Sequence, residues 1–350
     1  MKALVMHITD IAEMEDRILL GHGSGGQLSH DLINGLFVKY FDNPTIKDQT
    51  DSAILKIDKD LLAFTTDSFV VDPVFFPGGD IGKLAVAGTV NDMAVSGATP
   101  LYLSSSFIIE EGFGMEELET IVRSMAEEAK KAGVMIVTGD TKVVDKGKLD
   151  KIFINTSGIG ELPEKHKNIS SGKDIKFGDK IIINGSIGDH GMAILAAREF
   201  LNLSSDLKSD CACLNQLIRK AMEASPNIKF MRDATRGGLA TVLSELAAEK
   251  DFGVQIDESS IPVDEKVKGM CEILGFDPLY VANEGKIVMV VDKDDAKNVI
   301  DSLRTDELGR ESTIIGEIVG DHPGKAWIKT IIGGNRILDM LAGEQLPRIC

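Results

Sequence analysis

Apolar positions along the chain switch between two periods. Residues 61–66 (Leu-Leu-Ala-Phe-Thr-Thr) and 134–138 (Val-Met-Ile-Val-Thr) are apolar runs of strand length, followed closely by Asp67 and Asp140. Between them Leu118, Ile121, Val122, Met125, Ala126 and Ala129 recur at helical spacing, which predicts an amphipathic helix that Gly133 can end. Residues 81–95 predict a second helix, apolar nearly all round and therefore buried, and 151–159 predict a strand. From 161 to 179 the chain turns polar, with Pro163, Gly172 and Gly178, which marks a boundary. The pattern then restarts with a strand at 180–184, a glycine-containing turn at 185–191 and a helix at 192–200. It continues with a helix from 237, strands near 279–283 and 286–292, a helix near 295–304, and strands near 312–319 and 326–332. Both halves are thus α/β or α+β: an N-terminal domain at 1–165 and a C-terminal domain at 166–334. The remainder, 335–350, reads as an irregular, mobile tail, and about fifteen extended residues reach up to about 50 Å.

Charge narrows the function. The 350 residues carry 38 Lys and Arg against 55 Asp and Glu, a net charge of −17. That balance argues against a nucleic-acid or anionic-membrane partner, both of which need a basic surface. It does not exclude a nucleotide whose phosphates are bridged to carboxylates by Mg²⁺. The first ten residues are too short and polar for a signal peptide, and no apolar run approaches the roughly 18 residues of a membrane helix, so a cytoplasmic protein is expected. Cys211, Cys213, Cys271 and Cys350 form no CxxC pair and the histidines show no zinc-like spacing, which leaves reduced thiols as the expectation.

Several residues stand out chemically. Gly21-His22-Gly23-Ser24-Gly25-Gly26 matches G-x-G-x-x-G, but only Ile18–Leu20 offers a preceding strand. What survives is a glycine-rich loop before a helix, either a phosphate cradle or a structural turn. Asp92 lies within roughly 40° of Ile81, Ala85 and Gly88 around its helix, so its carboxylate is buried. It is either a cation ligand or a hydrogen-bonded cap. Asp51, Asp67 and Asp140 border apolar segments, where they can be turn residues or oxygen ligands for Mg²⁺ and phosphate. Asp233 or Thr235 can cap the helix after Arg236-Gly237-Gly238, and the double glycine also suits a phosphate. Glu284, in Asn283-Glu284-Gly285 between two apolar runs, is a hairpin residue or a proton-accepting carboxylate at a cleft edge. Cys350 fits no prenylation box, yet a thiol on a tail can act as a carrier arm.

Together, GHGSGG (21–26), TDSAIL (50–55), TTDSFVVDPVFFPGGDIGKLAVAGTVNDMAVSGATP (65–100), VTGDTKVV (137–144), RDATRGGLA (232–240), VANEG (281–285) and PRIC (347–350) resemble the HypE family of hydrogenase maturation factors. This family lies within the aminoimidazole ribonucleotide synthetase and selenophosphate synthetase superfamily. The resemblance spans nearly the whole chain. It implies a two-domain PurM-like fold, with an N-terminal sheet that forms a barrel across a homodimer and a C-terminal α/β sandwich. ATP and Mg²⁺ would lie between the domains, with Asp51, Asp92 and Asp233 as metal ligands. Asp67, Asn91, Asp92, Asp140 and Arg236 would line the nucleotide site, and Gly23, Ser24, Gly25 and Gly26 would cover phosphate or tail. The implied reaction is ATP-dependent dehydration of a carboxamide on Cys350 to a thiocyanate, with Lys142 and Glu284 handling protons. The implied partners are the carbamoyltransferase HypF, which loads the cysteine, and the HypC–HypD scaffold, which receives cyanide for nickel–iron hydrogenase. Two other classes remain: another ATP-dependent synthetase or phosphotransferase of the superfamily, and a nucleotide-sensing scaffold.

Overall fold

A helix that is apolar on every side has to sit inside the fold, and α1 (Ile81–Val95) does so in the computed structural model. The structure describes residues 17–19, 31–43, 61–198, 206–340, 346 and 348–350. Gly23, Ser24, Gly25, Gly26 and Asp51 therefore lie outside the described residues. Helix α1 starts at Asp80, whose carboxylate accepts the N–H groups of Gly82 at 2.7 Å and Lys83 at 3.0 Å, two of the donors a helix start leaves unpaired. Around it pack β1 (Leu62–Phe69), β4 (Thr99–Glu110), α2 (Met115–Ala132) and β6 (Ile152–Glu161).

These strands and β5 (Met135–Val144) form a four-stranded sheet in the order β1-β6-β4-β5; only β4 and β5 run parallel. A small hairpin, β2 (Phe75–Phe76) with β3 (Gly79–Asp80), leads into α1. Helix α2 follows the expected apolar stripe and ends at Gly133. Helices α1 and α2 lie on one face of the sheet. The opposite face is open, with Phe64 70% exposed and Leu62, Ile108 and Met135 also exposed. Strands β1 and β5 outrun the apolar runs that predict them, so Asp67 and Asp140 sit within strands. No turn forms at Gly139-Asp140, because these residues pair in parallel register with Ser105 and Ser106.

The second half adds β7 (Lys180–Ile183), α3 (Asp189–Ala196), α4 (Asn215–Ala224), β8 (Ile228–Asp233), α5 (Gly238–Ala247), β9 (Gly253–Asp257) and α6 (Glu265–Leu274). It continues with β10 (Ile287–Val291), α7 (Ala296–Leu303), β11 (Thr313–Val319), β12 (Ala326–Lys329) and β13 (Asn335–Leu338). They form a seven-stranded sheet ordered β13-β12-β9-β11-β7-β10-β8. Helix α5 packs on one face and α4 and α7 on the other, which is why β10 is apolar at every position rather than alternating.

Four local expectations change. Residues 279–283 form no strand: Pro278–Tyr280 is a single helical turn capped by Asp277, and a loop follows to β10. Glu284 is consequently not in a hairpin. Helix α3 starts earlier than its apolar run, at Asp189. Strand β12 stops at Lys329, and the stretch read as irregular after Gly334 opens with β13, which completes the sheet edge by pairing with β12.

Close approach of α1 to α2 depends on Gly82, where a Cβ would stand 2.4 Å from the Ile121 carbonyl oxygen. Gly82→Ala should therefore lower stability by about 1–3 kcal/mol in urea unfolding despite alanine's better helix propensity. Equal or greater stability would show that the two helices can separate without cost.

Candidate functional site

The seam between the two sheets gathers acidic side chains from three elements. Strand β1 turns its odd-numbered residues towards α1. Thr65 Oγ1 donates to Asp92 Oδ2 at 3.1 Å, and Thr89 Oγ1 donates to Asp67 Oδ2 at 2.9 Å. Asp233, at the end of β8, approaches from the other sheet. A cleft of about 470 Å³ opens here, lined by Ala63, Thr65, Asp92, Ser96, Met231 and Asp233 among others. Burial and the charges of Asp233 and Asp67 push the Asp92 pKa up to about 8. Burial, opposed by a backbone hydrogen bond and Arg232, pushes Asp233 up to about 6.

Glu284 is buried close enough to feel the charges of Asp92 and Asp233, although it does not line the cleft. It is only 3% exposed, and burial together with Asp233, Asp210 and Asp92 raises its pKa well above the ordinary range. Its N–H donates to Asp210 Oδ1 at 3.0 Å, while the other Asp210 oxygen pairs with Lys286 at 3.0 Å. The loop itself is fixed by Asn283, whose amide donates to the Ala234 carbonyl at 2.6 Å and whose oxygen accepts the Gly188 N–H at 2.7 Å. Sequence reading missed Asp210, Lys286, Thr65 and Thr89. The only available signal was polarity at the margin of apolar runs, which most surface residues share.

Asp92 and Asp233 suit a divalent cation, because two carboxylates with raised pKa values face each other across a cleft and positive charge would relieve both. Among the described residues no three His, Cys, Asp or Glu side chains converge closely enough to enclose a metal. A cation here would draw its other ligands from phosphate, water or residues outside the described set, as Mg²⁺ commonly does.

Other expected site residues lie elsewhere. Asn91 is buried and its amide is fully used: it donates to the carbonyls of Ala212 at 3.0 Å and Glu284 at 3.4 Å and accepts the Leu214 N–H at 2.7 Å. It ties the two halves together rather than lining the cleft. Asp140 and Lys142 form a 2.9 Å ion pair on the open face of the sheet, opposite the face that carries Asp67 and Asp92. Lys142 holds the Asp140 carboxyl below its usual pKa. Neither Asp233 nor Thr235 caps α5; Gly237 does. Gly238, at φ +62°, abuts the carbonyls of Leu279 and Val281, where a Cβ would stand 2.6–2.7 Å away, so this glycine serves packing. Arg236 is exposed beside it.

The chain's last residues are docked, not extended. Val70 N–H donates to the main-chain oxygen of Cys350, and Asp72 N–H and Arg198 Nη2 donate to the Arg348 carbonyl, all at 3.1 Å. Arg348 Nε donates to the Val70 carbonyl at 2.9 Å, and its guanidinium pairs with Asp150. Val70 directly follows β1, about 10 Å of extended chain beyond Asp67, so one continuous segment serves both the acidic cleft and the tail.

The chain is similar to known proteins along nearly its whole length. Residues 49–162 match the N-terminal domain of AIR synthase related protein and residues 176–329 its C-terminal domain. Carbamoyl dehydratase HypE of Rhodobacter capsulatus is 48% identical over 343 residues, 97% of this chain and 100% of that protein. The chain belongs to the HypE family of carbamoyl dehydratases. A crystal structure of the hydrogenase maturation protein HypE in complex with ATP superposes with a TM-score of 0.90 at 47% identity, covering 95% of this chain and 99% of that one. A HypE–HypF complex matches with a TM-score of 0.76 at 51% identity, covering 89% and 99%. Among the described residues no helix is long and apolar enough to cross a membrane.

The raised pKa of Asp92 has a direction that stability can read. An ionised carboxylate whose folded pKa exceeds its unfolded value costs stability as pH rises from the unfolded value through about 8. Without divalent cations, Asp92→Asn should therefore melt about 3–8 °C above the parent at pH 8 and nearly with it at pH 4 by calorimetry. An unchanged or lower melting temperature at pH 8 would mean that Asp92 acts as a stabilising cap.

Proposed function

We propose that the chain catalyses ATP-dependent dehydration of a carboxamide carried on Cys350, yielding a protein thiocyanate, ADP and phosphate. The observation that carries this reading is the acidic cleft and the docked cysteine held along one continuous segment, β1 and the residues that follow it to Asp72. Asp92 and Asp233, with Asp51 where the family motif puts it, would hold Mg²⁺. When bound, the cation neutralises phosphate charge and aligns the terminal phosphoryl group.

The chemistry starts with a carbamoyltransferase of the HypF type, which converts the Cys350 thiol to Sγ–C(=O)–NH₂. Transfer of the ATP γ-phosphoryl group to the carbonyl oxygen, with loss of one N–H proton, gives Sγ–C(=NH)–O–phosphate and ADP. Loss of the second N–H proton expels phosphate and leaves Sγ–C≡N, so the oxygen of the eliminated water departs on phosphate. Glu284 suits the proton-accepting role: its burial makes its ionised form a stronger base than a surface carboxylate. The nitrile would then pass to iron on a HypC–HypD scaffold.

Asp140 and Lys142 enter this scheme through a second copy of the chain. Among the described residues, strands β1 and β5 are the two edges of the N-terminal sheet, and the open face between them exposes Leu62, Phe64, Ile108 and Met135. A homodimer that closes two such sheets into a barrel removes both edges and covers that face. Pairing β1 of one copy with β5 of the other would carry Asp140 and Lys142 to the margin of the opposite cleft. The glycine-rich loop 23–26 and Arg236 would meet phosphate from the remaining sides.

Incubation with a HypF-type transferase, its carbamoyl donor and Mg·ATP should place a carboxamide on Cys350 that then loses the mass of one water. A Glu284→Gln protein should load normally but accumulate carboxamide, with thiocyanate formation slowed at least about 100-fold in peptide mass spectrometry. Absence of any adduct on the parent protein would refute the carrier role, and an unchanged thiocyanate yield would remove Glu284 from proton transfer.

A further inference from the structure

Helix α3 carries a buried histidine that the reaction scheme leaves unused. His190 has no solvent exposure, and its two ring nitrogens are both engaged. Nε2 lies 2.7 Å from the Ile349 carbonyl oxygen, and Nδ1 lies 2.8 Å from Ser209 Oγ. A carbonyl oxygen only accepts, so Nε2 bears the proton. In the neutral ring Nδ1 then accepts from the Ser209 hydroxyl. Ser209 Oγ in turn accepts the Cys211 N–H at 3.0 Å. The relay from Cys211 N–H through Ser209 to His190 therefore fixes the proton on the nitrogen that faces the tail. Phe76 stands edge-on to the imidazole, with ring centres 5.7 Å apart, and limits its rotation. Burial lowers the ring's pKa against the opposing pull of Asp210, in keeping with the neutral form.

The neighbouring main-chain oxygens are also held: that of Cys350 accepts the Val70 N–H, and that of Arg348 accepts the Asp72 N–H together with Arg198 Nη2 at 3.1 Å. The Ile349 carbonyl between them is held by a fully buried imidazole. The Ile349 side chain is itself buried, in the apolar core that also holds Phe76 and Met192, so its peptide is gripped on both sides.

We propose that His190 is the positioning residue for Cys350: by donating to the Ile349 carbonyl it sets the peptide that aims the cysteine, and with it the carboxamide that Cys350 carries. The carboxamide part of this statement rests on the carrier role of Cys350. The hold on the tail does not. His190 touches neither nucleotide nor the reacting carbon in this scheme and acts only through Ile349.

Two measurements on the full chain test it. In the absence of nucleotide and partner, the rate of Cys350 alkylation by iodoacetamide, read by peptide mass spectrometry, should rise about tenfold in His190→Ala, the factor expected from losing one buried hydrogen bond. His190→Gln, whose amide N–H can reach towards the same carbonyl, should restore most of the parent rate. Cys211 and Cys213 are buried next to the relay and serve as internal controls. Faster alkylation confined to Cys350 supports the proposal; an unchanged Cys350 rate, or equal opening of all three thiols, overturns it. If His190→Ala does not fold, Ser209→Ala, which keeps the ring but removes the hydroxyl that orients its proton, is judged by the same criteria. In the second measurement, protein loaded by the transferase is given Mg·ATP in a single turnover. His190→Ala should load fully and dehydrate about tenfold more slowly; an equal dehydration rate overturns the positioning role. Failure of the parent to load would refute the carrier reading, and the alkylation rates would still decide whether His190 holds the tail.

Discussion

Like charges buried at a seam are the constraint on which the rest of this structure turns. Asp92, Asp233 and Glu284 converge with Asp67 and Asp210 in a region that water reaches poorly; burial and neighbouring carboxylates raise the proton affinity of the first three, while Lys286 helps to hold Asp210 ionised. The nearby Lys286 is committed to Asp210 and, at 3.9 Å, to Asp189. Such a cluster keeps its protons or acquires a cation, and either choice couples the fold to what occupies the cleft. Carboxylates placed this way weaken the empty protein. That is the usual signature of a site shaped for a charged ligand rather than for stability.

The scaffold sustains this crowding by making its supports rigid. Helix α1 is buried along almost its whole length, its start is capped by Asp80, and its far end is fastened by Asn91 to the 210–214 segment and the loop that carries Glu284. Asp92, the next residue, therefore has little freedom to retreat from Asp233. Strand β1 adds a hydrogen bond from Thr65 to Asp92 and, just beyond its end, the amides that hold the docked tail. The cleft and the cysteine are thus positioned by a common element, which suits a reaction in which a tethered group must meet a nucleotide.

Much of the fold was legible because periodicity reports burial directly. The stripe of α2 and the continuous apolarity of α1 and β10 correspond to one covered face and to full enclosure. Reading failed where a few specific contacts outweighed the pattern. Residues 279–283 look like a strand, yet Asp277 caps a helical turn there and Asn283 anchors the loop that follows. Asp140 looks like a turn residue after Gly139, but strand pairing with β4 carries both residues on in extended form. In the site, Asp92 announced itself as a carboxylate on an apolar helix. Asn91 beside it has the same local context but opposite duty, and only the position of the 210–214 segment separates them. His190 lay unnoticed because an isolated histidine on a buried helix has no pattern until its partners, 19 and 159 residues away, are brought alongside.

The central claim is that the seam carboxylates give up protons to bind a nucleotide-bridged cation. Calorimetric titration of the protein with Mg·ATP at pH 7, repeated in buffers of different ionisation enthalpy, counts those protons directly. With Asp92 near 8 and Asp233 near 6, binding should release on the order of one proton, and the release should nearly vanish in Asp92→Asn. Binding with no net proton release, or with proton uptake, would contradict the account.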